Sequence, residues 1–397
     1  MLWEQGSHEQ LIDTDWDESA AREAIKEIAA TAEEAFDEVA LWRPHPRDEV
    51  VGALDRMKGL YLGASGVVWA LDFLARAGVV TLTRDWLPIA TKAVDLYVEE
   101  PDGGEDLGGG VPSLWIGATG ILLVAHQFSP EVAYEQKLMT AISANIENPT
   151  WELMWGSPGT MLAAHFMYER TADPAWADLW RACASKLWDE WRDDLWLQDL
   201  YGSSVHIVGP AHGFAGNLFV LARGDLLAPE RRAELERRAV QAICTYAQRE
   251  DGLAQWPMSL EPRAGKSSDI RTQWCHGAPG IVASLATLAP GDDSLSEVLL
   301  AGGELTWRAG PLLKGAGLCH GTAGNGYAFL KLFERTGDEQ WLERARRFAM
   351  HAIAQVRQAR QEYGQGRHTL WTGDLGTALY LLSCCKSDAS MPTLDHW

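Results

Sequence analysis

Apolar residues are concentrated in seven short runs along the chain, and a Gly-x-x-Gly step stands at the head of each run. Successive steps are on average about 52 residues apart, a spacing typical of helical repeat proteins. Each run is apolar on nearly all sides when it is drawn as a helix, which predicts a buried helix. The steps begin at Gly63, Gly117, Gly156, Gly213, Gly277, Gly321 and Gly373.

Longer segments between these runs alternate apolar and charged positions with the period of an α-helix. The clearest examples lie at 21–40, 86–100, 229–248 and 338–356. Ala, Leu, Glu and Arg dominate them, and all four are good helix formers. Strand signals are scarce. Each repeat is therefore predicted to contain an amphipathic helix, a loop, a glycine turn and an apolar helix.

Seven apolar helices inside seven amphipathic ones predict an all-α fold. The expected architecture is an α/α toroid, a double ring of seven helical hairpins with the glycine turns gathered at one end. A linear solenoid is the competing architecture, but the inner helices are too apolar to line an open groove. We expect one domain over 1–397, with a poorly ordered segment at 1–20.

Charge and cysteine usage narrow the function classes. The chain of 397 residues has 34 basic and 55 acidic side chains, for a net charge of −21. Nucleic-acid binding requires a basic face, so this balance argues against it. No apolar run reaches the roughly 18 residues of a transmembrane helix, and the acidic start lacks the apolar region of a signal peptide. Six cysteines without such a signal favour the reducing cytoplasm.

Two of the glycine turns share the order Cys-His-Gly-x-x-Gly. Cys275 and Cys319 each stand two residues before the first glycine, so the repeat places both thiols at equivalent positions on neighbouring turns. His276 and His320 follow them, and only one of these histidines needs to bind a metal. Two thiolates and one imidazole with an open fourth position are typical of a catalytic zinc site. Such a site activates either a substrate thiol or a water molecule.

Other polar residues at the turns are candidates for acid–base chemistry. His212 stands directly before the fourth turn and would face the zinc turns across the ring. A neutral imidazole at this position can take up or donate a proton. Glu152, before the third turn, is either part of the site or a solvated surface carboxylate. With Asp374 it is too weak a carboxylate pair to favour the glycoside hydrolases that share this architecture.

The 19 tryptophans allow two interpretations. Tryptophans in helical proteins commonly pack between helices, and this accounts for most of them. Trp155, Trp274 and Trp371 stand beside glycine turns, where they could instead form an aromatic rim for an extended peptide.

These motifs resemble those of the lanthionine synthetase C-like (LanC-like) family. The match extends over the seven turns and is strongest in "WCHGAPG", "GLCHGTAGNGYAFL" and "AHGFAG". The resemblance implies an α/α toroid, zinc held by Cys275, Cys319 and His320, and His212 as the acid/base residue. It also implies the family's reaction, in which a cysteine thiol adds to the β-carbon of a dehydroalanine or dehydrobutyrine residue to form a thioether.

Two positions separate this chain from the lantibiotic cyclases of the family. Those enzymes usually have Tyr in place of His276 and Asp in place of Glu152, and both residues are further catalytic candidates here. The chain is closer to the eukaryotic-type members, which are similar to glutathione-binding proteins that add glutathione to dehydroamino acids in damaged proteins. Lys314 matches a lysine that those members place near glutathione, and Arg367 is a candidate for a second basic ligand.

The resemblance leaves three functions to distinguish. The first is the addition of a thiol, from glutathione or a peptide cysteine, to dehydroamino acids in a peptide or protein. The second is a lantibiotic-type cyclase that acts on a precursor peptide dehydrated by a partner enzyme. The third is a glutathione-binding adaptor without turnover. We favour the first, with glutathione as the donor, because the zinc turns have the eukaryotic-type form.

Overall fold

The chain folds into fourteen α-helices and four short strands within the described residues. A computed structural model describes residues 2–48, 56–102, 110–261 and 270–397. The odd-numbered helices are α1 (Glu18–Glu34), α3 (Leu87–Glu99), α5 (Val132–Ala144), α7 (Pro174–Asp189), α9 (Pro229–Tyr246), α11 (Asp293–Ala309) and α13 (Glu339–Tyr363). The even-numbered helices are α2 (Ala64–Arg76), α4 (Ala118–Phe128), α6 (Ser157–Thr171), α8 (Phe214–Ala222), α10 (Ala278–Leu285), α12 (Thr322–Thr336) and α14 (Asp374–Lys386).

Burial separates the two sets of helices. Every residue of α10 is buried, as expected for a helix that is apolar on all sides. Helix α9 instead buries one face, formed by Leu235, Ala239, Ala242 and Ile243, and exposes its charged residues. The even-numbered helices are therefore the inner ones and the odd-numbered helices the outer ones. No helix in the described ranges is long and apolar enough to cross a membrane.

The inner helices form a closed ring. Helix α2 contacts α4, and the contacts continue in chain order through α6, α8, α10 and α12 to α14, which packs against α2. The outer helix α1 packs on α14 and so covers the seam. Closure confirms the predicted α/α toroid, because a linear solenoid would leave α2 and α14 at opposite ends.

All seven predicted glycine turns lie directly before an inner helix. The first glycine of each turn immediately precedes the first helical residue. The second glycine lies in the first helical turn, against a backbone carbonyl from six residues earlier. A Cβ added at Gly280 would lie 1.7 Å from the Trp274 oxygen, and one at Gly324 would lie 1.7 Å from the Leu318 oxygen. Glycine is needed at these positions because the backbones approach without room for a side chain.

One predicted helix is shorter than expected. The amphipathic pattern predicts a helix over 21–40, but α1 ends at Glu34. The reason is a turn just beyond it, in which Oδ1 of Asp37 accepts the backbone N–H groups of Val39 and Ala40 at 2.8 and 2.7 Å. A short side chain that bonds the backbone locally competes with helix continuation.

Three tryptophans meet at the centre of the ring. Trp115, Trp274 and Trp371 belong to the second, fifth and seventh turns and are fully buried. The ring centroids of Trp274 and Trp371 are 4.8 Å apart, and those of Trp115 and Trp371 are 4.5 Å apart. The idea of an exposed aromatic rim is therefore wrong for Trp274 and Trp371, which instead pack against each other in the interior beside the turns. Trp155 is partly exposed.

Two small β-hairpins lie in the loops that lead to the fourth and fifth turns. Strand β1 (Gln198–Leu200) pairs with β2 (Ser203–Val205), and β3 (Gln248–Glu250) pairs with β4 (Leu253–Gln255). Both pairs are antiparallel, and each is closed by a two-residue loop.

The N-terminal segment lies along the loop that precedes the sixth turn. The Glu9 N–H donates to the Pro311 carbonyl at 3.0 Å, and the Leu313 N–H donates to the Ser7 carbonyl at 3.1 Å. The Glu9 carboxylate also accepts Nε2 of His351, on α13, at 2.8 Å. These contacts hold the segment beside the loop that carries Lys314.

Candidate metal and acid–base site

The backbones of the two Cys-His turns are hydrogen bonded to each other. The Cys275 N–H donates to the Cys319 carbonyl at 3.0 Å, and the Cys319 N–H donates to the Trp371 carbonyl at 2.8 Å. Turns five, six and seven are therefore tied together without intervening side chains. This pairing places the two thiols side by side, at the equivalent positions that the repeat predicts.

Cys275, Cys319 and His320 form one group of possible metal ligands. Their ligand atoms all lie within 4.8 Å of one another, and both thiols are buried. A tetrahedral zinc ion bonded to sulfur and nitrogen holds its ligand atoms roughly 3.3–3.8 Å apart. Small side-chain movements would bring the three atoms to that separation. The donor set therefore fits zinc, with the fourth position left for another ligand.

The two thiols differ in acidity. Burial acts to raise the pKa of Cys275, but the hydrogen bond from Cys319 and the charges of His276 and His320 outweigh it and hold that pKa well below its usual range. The hydrogen bond to Cys275, and then burial, raises the pKa of Cys319 well above its usual range. A metal ion at this site would bind both sulfurs as thiolates, so metal binding would be accompanied by proton release.

His212 is held by a buried carboxylate. Its Nδ1 lies 2.8 Å from Oε2 of Glu152, which has no exposed surface. The same carboxylate accepts the backbone N–H groups of Met154, Trp155 and Gly156. A carboxylate only accepts, so Nδ1 carries the proton and Nε2 is the basic nitrogen. The interpretation of Glu152 as a solvated surface group is therefore wrong.

His276 lies between the acid–base pair and the metal ligands. Its imidazole ring stacks on that of His212, with centroids 5.6 Å apart and planes 26° from parallel. The same residue directly follows Cys275 in the fifth turn. The two parts of the site, predicted separately from the sequence, are therefore in contact through His276.

These residues open onto one cavity of about 640 Å³. Four of the lining side chains are cationic, and none of those within the described residues is acidic. The whole chain has a net charge of −21, so this cationic lining differs in sign from the rest of the protein. It favours an anionic ligand. The cavity is lined by Arg47, Tyr61, Met154, His212, Arg271, Gln273, Cys275, His276, Leu313, Lys314, Cys319, His320 and Arg367.

Lys314 is linked to a metal ligand through one side chain. Its Nζ donates to Oε1 of Gln273 at 3.0 Å, and Nε2 of Gln273 donates to Sγ of Cys275 at 2.8 Å. Burial lowers the pKa of Lys314, and the charge of Arg271 adds to this effect. Lys314 therefore lies in the wall of the cavity that the metal ligands share.

Arg367 also lines the cavity, but it is already paired with an acid. Its Nε donates to Oδ1 of Asp48 at 2.8 Å, and Oγ1 of Thr372 donates to the same oxygen at 2.8 Å. Both charged side chains are largely buried. The pair ties the segment before the first turn to the seventh turn. Because Asp48 neutralises Arg367, the other three cations of the cavity are better placed to bind an anion.

Six residues that line the cavity were not among the candidates from the sequence, and Tyr61, Arg271 and Arg47 are three of them. Tyr61 stands two residues before the first glycine of its turn, the same offset as Cys275 and Cys319, so the repeat itself could have identified it. Arg271 stands four residues before Cys275 and could have been found by extending that motif. Arg47 comes from a segment without a motif, and only the closed ring brings it to the cavity.

The fold and the site together define a class of protein, an α/α toroid with a Cys–Cys–His ligand set and a His–Glu pair at its glycine end. Residues 55–395 match the family described as lanthionine synthetase C-like protein, and the chain belongs to this family. The resemblance seen in the sequence is thereby confirmed.

Two proteins are similar to the chain in sequence, and one solved structure is similar to it in fold. Glutathione S-transferase LANCL1 of Danio rerio is 36% identical over 158 residues, and LanC-like protein GCL1 of Arabidopsis thaliana is 36% identical over 163 residues. Each alignment covers 39% of this chain and about a third of the relative, 36% and 35% respectively. A solved structure of nisin cyclase superposes with a TM-score of 0.55 over 93% of this chain and 100% of that chain. Its 17% identity supports the fold alone.

Proposed function

We propose that this protein adds the thiol of glutathione to the β-carbon of a dehydroalanine or dehydrobutyrine residue in a peptide or protein. The observation that carries the proposal is that a Cys–Cys–His ligand set and His212, which the buried Glu152 holds, line one cavity. Thiol activation and proton movement are the two tasks that such an addition requires. Family membership and the name of the Danio rerio relative are consistent with it.

Zinc is the proposed cofactor, held by Cys275, Cys319 and His320. When bound there, zinc would lower the pKa of a substrate thiol and so supply a thiolate near neutral pH. All six cysteines of the chain are free, and free thiols persist in a reducing compartment. We therefore propose the cytoplasm as the compartment.

His212 is proposed to handle the proton. The addition forms one S–C bond, and the electron pair of the double bond moves towards the α-carbon and its carbonyl group. One proton leaves the thiol and one proton must reach the α-carbon, so the reaction needs neither an oxidant nor a reductant. Nε2 of His212 takes up and returns this proton, while Glu152 orients the ring and stabilises its charged form.

The charges of the cavity favour glutathione over an uncharged peptide cysteine. Glutathione has two carboxylates, and Lys314, Arg47 and Arg271 all line the cavity. Charge-assisted hydrogen bonds from Lys and Arg to carboxylates are among the strongest in proteins. No carboxylate of the described residues lines the cavity, so none there competes for these three cations.

Mass spectrometry tests the proposal directly. A dehydroalanine peptide incubated with glutathione and the zinc-loaded protein should gain the mass of one glutathione, at a rate proportional to protein concentration. The His212→Ala protein is the matched control. Ring formation in a dehydrated peptide that supplies its own cysteine, with no use of glutathione, would instead identify a lantibiotic-type cyclase. Glutathione binding without any thioether product would identify an adaptor.

A further inference from the structure

Tyr201 is an exposed aromatic residue that lies directly beside the acid–base pair. Its side chain is 67% exposed, and its ring meets the His212 ring edge-on, with centroids 5.9 Å apart and planes at 71°. Its hydroxyl oxygen accepts Nε1–H of Trp155 at 3.1 Å. The tip of the β1–β2 hairpin is thereby fixed to the third glycine turn, at the His212 side of the cavity.

The backbone conformation at Tyr201 is one that disfavours tyrosine. Tyr201 and Gly202 form the two-residue loop between β1 and β2, with φ of 53° and 73°. Positive φ at both positions marks the type I′ turn, which prefers Asn-Gly or Asp-Gly. The second hairpin of this chain has that preferred sequence, Asp251–Gly252, with φ of 50° and 75°. The two loops share one geometry, and only the first places an aromatic residue in it.

Neither the residue preference of the turn nor burial explains why a tyrosine occupies position 201. A non-glycine residue with positive φ carries a conformational cost, and such residues cluster at functional sites. The aromatic side chain gains little from the hydrophobic effect because most of it faces solvent. What the position does supply is a fixed aromatic surface next to His212.

A polypeptide substrate needs a binding surface on the rim of the cavity, beside His212. Only the reacting dehydroamino acid has to enter the cavity, so the residues on either side of it must lie on the rim. The cations Lys314 and Arg271 line the cavity wall that glutathione would occupy. The acceptor must then approach His212 from elsewhere, and Tyr201, which is hydrogen bonded to Trp155, lies next to His212.

We propose that Tyr201 binds the acceptor polypeptide beside the dehydroamino acid and so determines specificity for peptides over small acceptors. This inference rests on the proposed function and names the acceptor subsite of the same site. A tyrosine ring offers a rigid surface of low entropy cost for packing against a peptide backbone and its side chains. Trp155 fixes the ring in place through the hydroxyl group.

The test compares Tyr201→Asn with Asp251→Asn, the same replacement residue in the two equivalent loops. Asn suits the turn geometry, so both variants should fold, with melting temperatures equal to or above that of the wild type. Steady-state rates are measured with glutathione and two acceptors, a ten-residue dehydroalanine peptide and N-acetyldehydroalanine methylamide. Tyr201→Asn should raise KM for the peptide about five- to tenfold and leave KM for the small acceptor and for glutathione unchanged.

Two further variants and one binding measurement complete the test. Tyr201→Phe should keep most of the peptide affinity, because the ring is retained, and Asp251→Asn should behave as the wild type. Fluorescence anisotropy with a labelled peptide that has Ala in place of dehydroalanine reports binding without turnover. Tyr201→Asn should weaken this binding by the same factor.

The possible results distinguish a failure of the Tyr201 inference from a failure of the proposed reaction. An unchanged peptide KM in an active Tyr201→Asn protein would overturn the inference. An equal loss of activity on both acceptors would also overturn it, because Tyr201 would then support His212 rather than the acceptor. A wild type that binds the peptide through Tyr201 but forms no thioether would refute the proposed reaction and leave the peptide subsite standing.

Discussion

Nδ1 of His212 lies 2.8 Å from a Glu152 carboxylate that is fully buried. Three backbone N–H groups also donate to that carboxylate, which restrains it from rotating away from the imidazole. The orientation of His212 is therefore set by the third turn, although the residue itself belongs to the fourth. Two turns of the ring together position one His–Glu pair.

Replacement of His212 by Ala should keep the metal and lose most thiol addition. A positioned acid/base group contributes roughly 100- to 10,000-fold in rate, and the variant should lose activity within this range. Glu152→Gln should be slower than the wild type but faster than His212→Ala. The double variant should be no slower than His212→Ala alone, because the two residues act as a unit. Multiplicative losses measured by mass spectrometry would separate their roles.

The metal site should hold one zinc ion per chain. Cys275→Ala or Cys319→Ala leaves two protein ligands, and either change should remove the metal without unfolding the helices. Cys244→Ala, on the outer helix α9, is the control and should keep one equivalent. Elemental analysis and far-ultraviolet circular dichroism provide the two measurements. A full equivalent of zinc in Cys319→Ala would show that the ligand set is wrong.

Lys314 should contribute to glutathione affinity. The zinc-loaded wild type should bind glutathione in the micromolar to millimolar range, roughly 4–8 kcal/mol, and Lys314→Ala should bind about tenfold more weakly. Calorimetry measures both, with Lys137→Ala, an exposed change on α5, as the control. Zinc content must be equal in all three proteins, because Gln273 joins Lys314 to Cys275. Equal affinities would leave the other cations as the carboxylate ligands.

The ring and the proximity of Cys275 and Cys319 could be predicted from the sequence because both follow from the repeat, whereas the choice of His320 over His276 came from the family resemblance. A Gly-x-x-Gly step precedes each inner helix, and a cysteine stands two residues before two of these steps. Both patterns are local and can be read directly from the sequence. The burial of Glu152 was not predictable in this way, because it depends on how the third and fourth turns meet. Arg47 illustrates the same limit, since only ring closure brings it to the cavity.

Arg367 should prove important for stability as well as for the cavity. Arg367→Ala leaves the buried Asp48 carboxylate without its cation, and breaking such a pair costs about 3–5 kcal/mol. Urea unfolding should show this loss for the single variant. The double variant with Asp48→Asn should recover part of it, because no buried charge is left. A single variant as stable as the double variant would mean that water replaces the guanidinium.

Asp374 should make the protein less stable as the pH rises from about 4 to 6. Burial raises the pKa of Asp374 to about 6, whereas an unfolded aspartate titrates near 3.9. The folded state therefore holds a proton that the unfolded state releases, and stability falls with pH across this window. Burial also lowers the pKa of His368 to about 4, which has the opposite effect.

The variant Asp374→Asn separates these two contributions. His368 is present in both proteins, so its effect cancels in the difference between their free energies of unfolding. The free energy of unfolding of the wild type minus that of the variant should fall by about 2–3 kcal/mol between pH 4 and 7. Denaturant titrations at several pH values supply this difference, and a difference that does not change with pH would contradict a protonated Asp374.

Closure of the ring between α14 and α2 affects the candidate metal site and the cavity differently. Cys275, Cys319 and His320 come from adjacent turns, and their contacts can form within a partly folded chain. Contacts between residues far apart in sequence form more slowly, and the cavity needs Arg47 from near one end of the chain and Arg367 from near the other. An open ring would therefore keep the three candidate metal ligands on neighbouring turns while it separates Arg47 from Arg367, so ring closure is needed for the cavity but not for the proximity of the ligands.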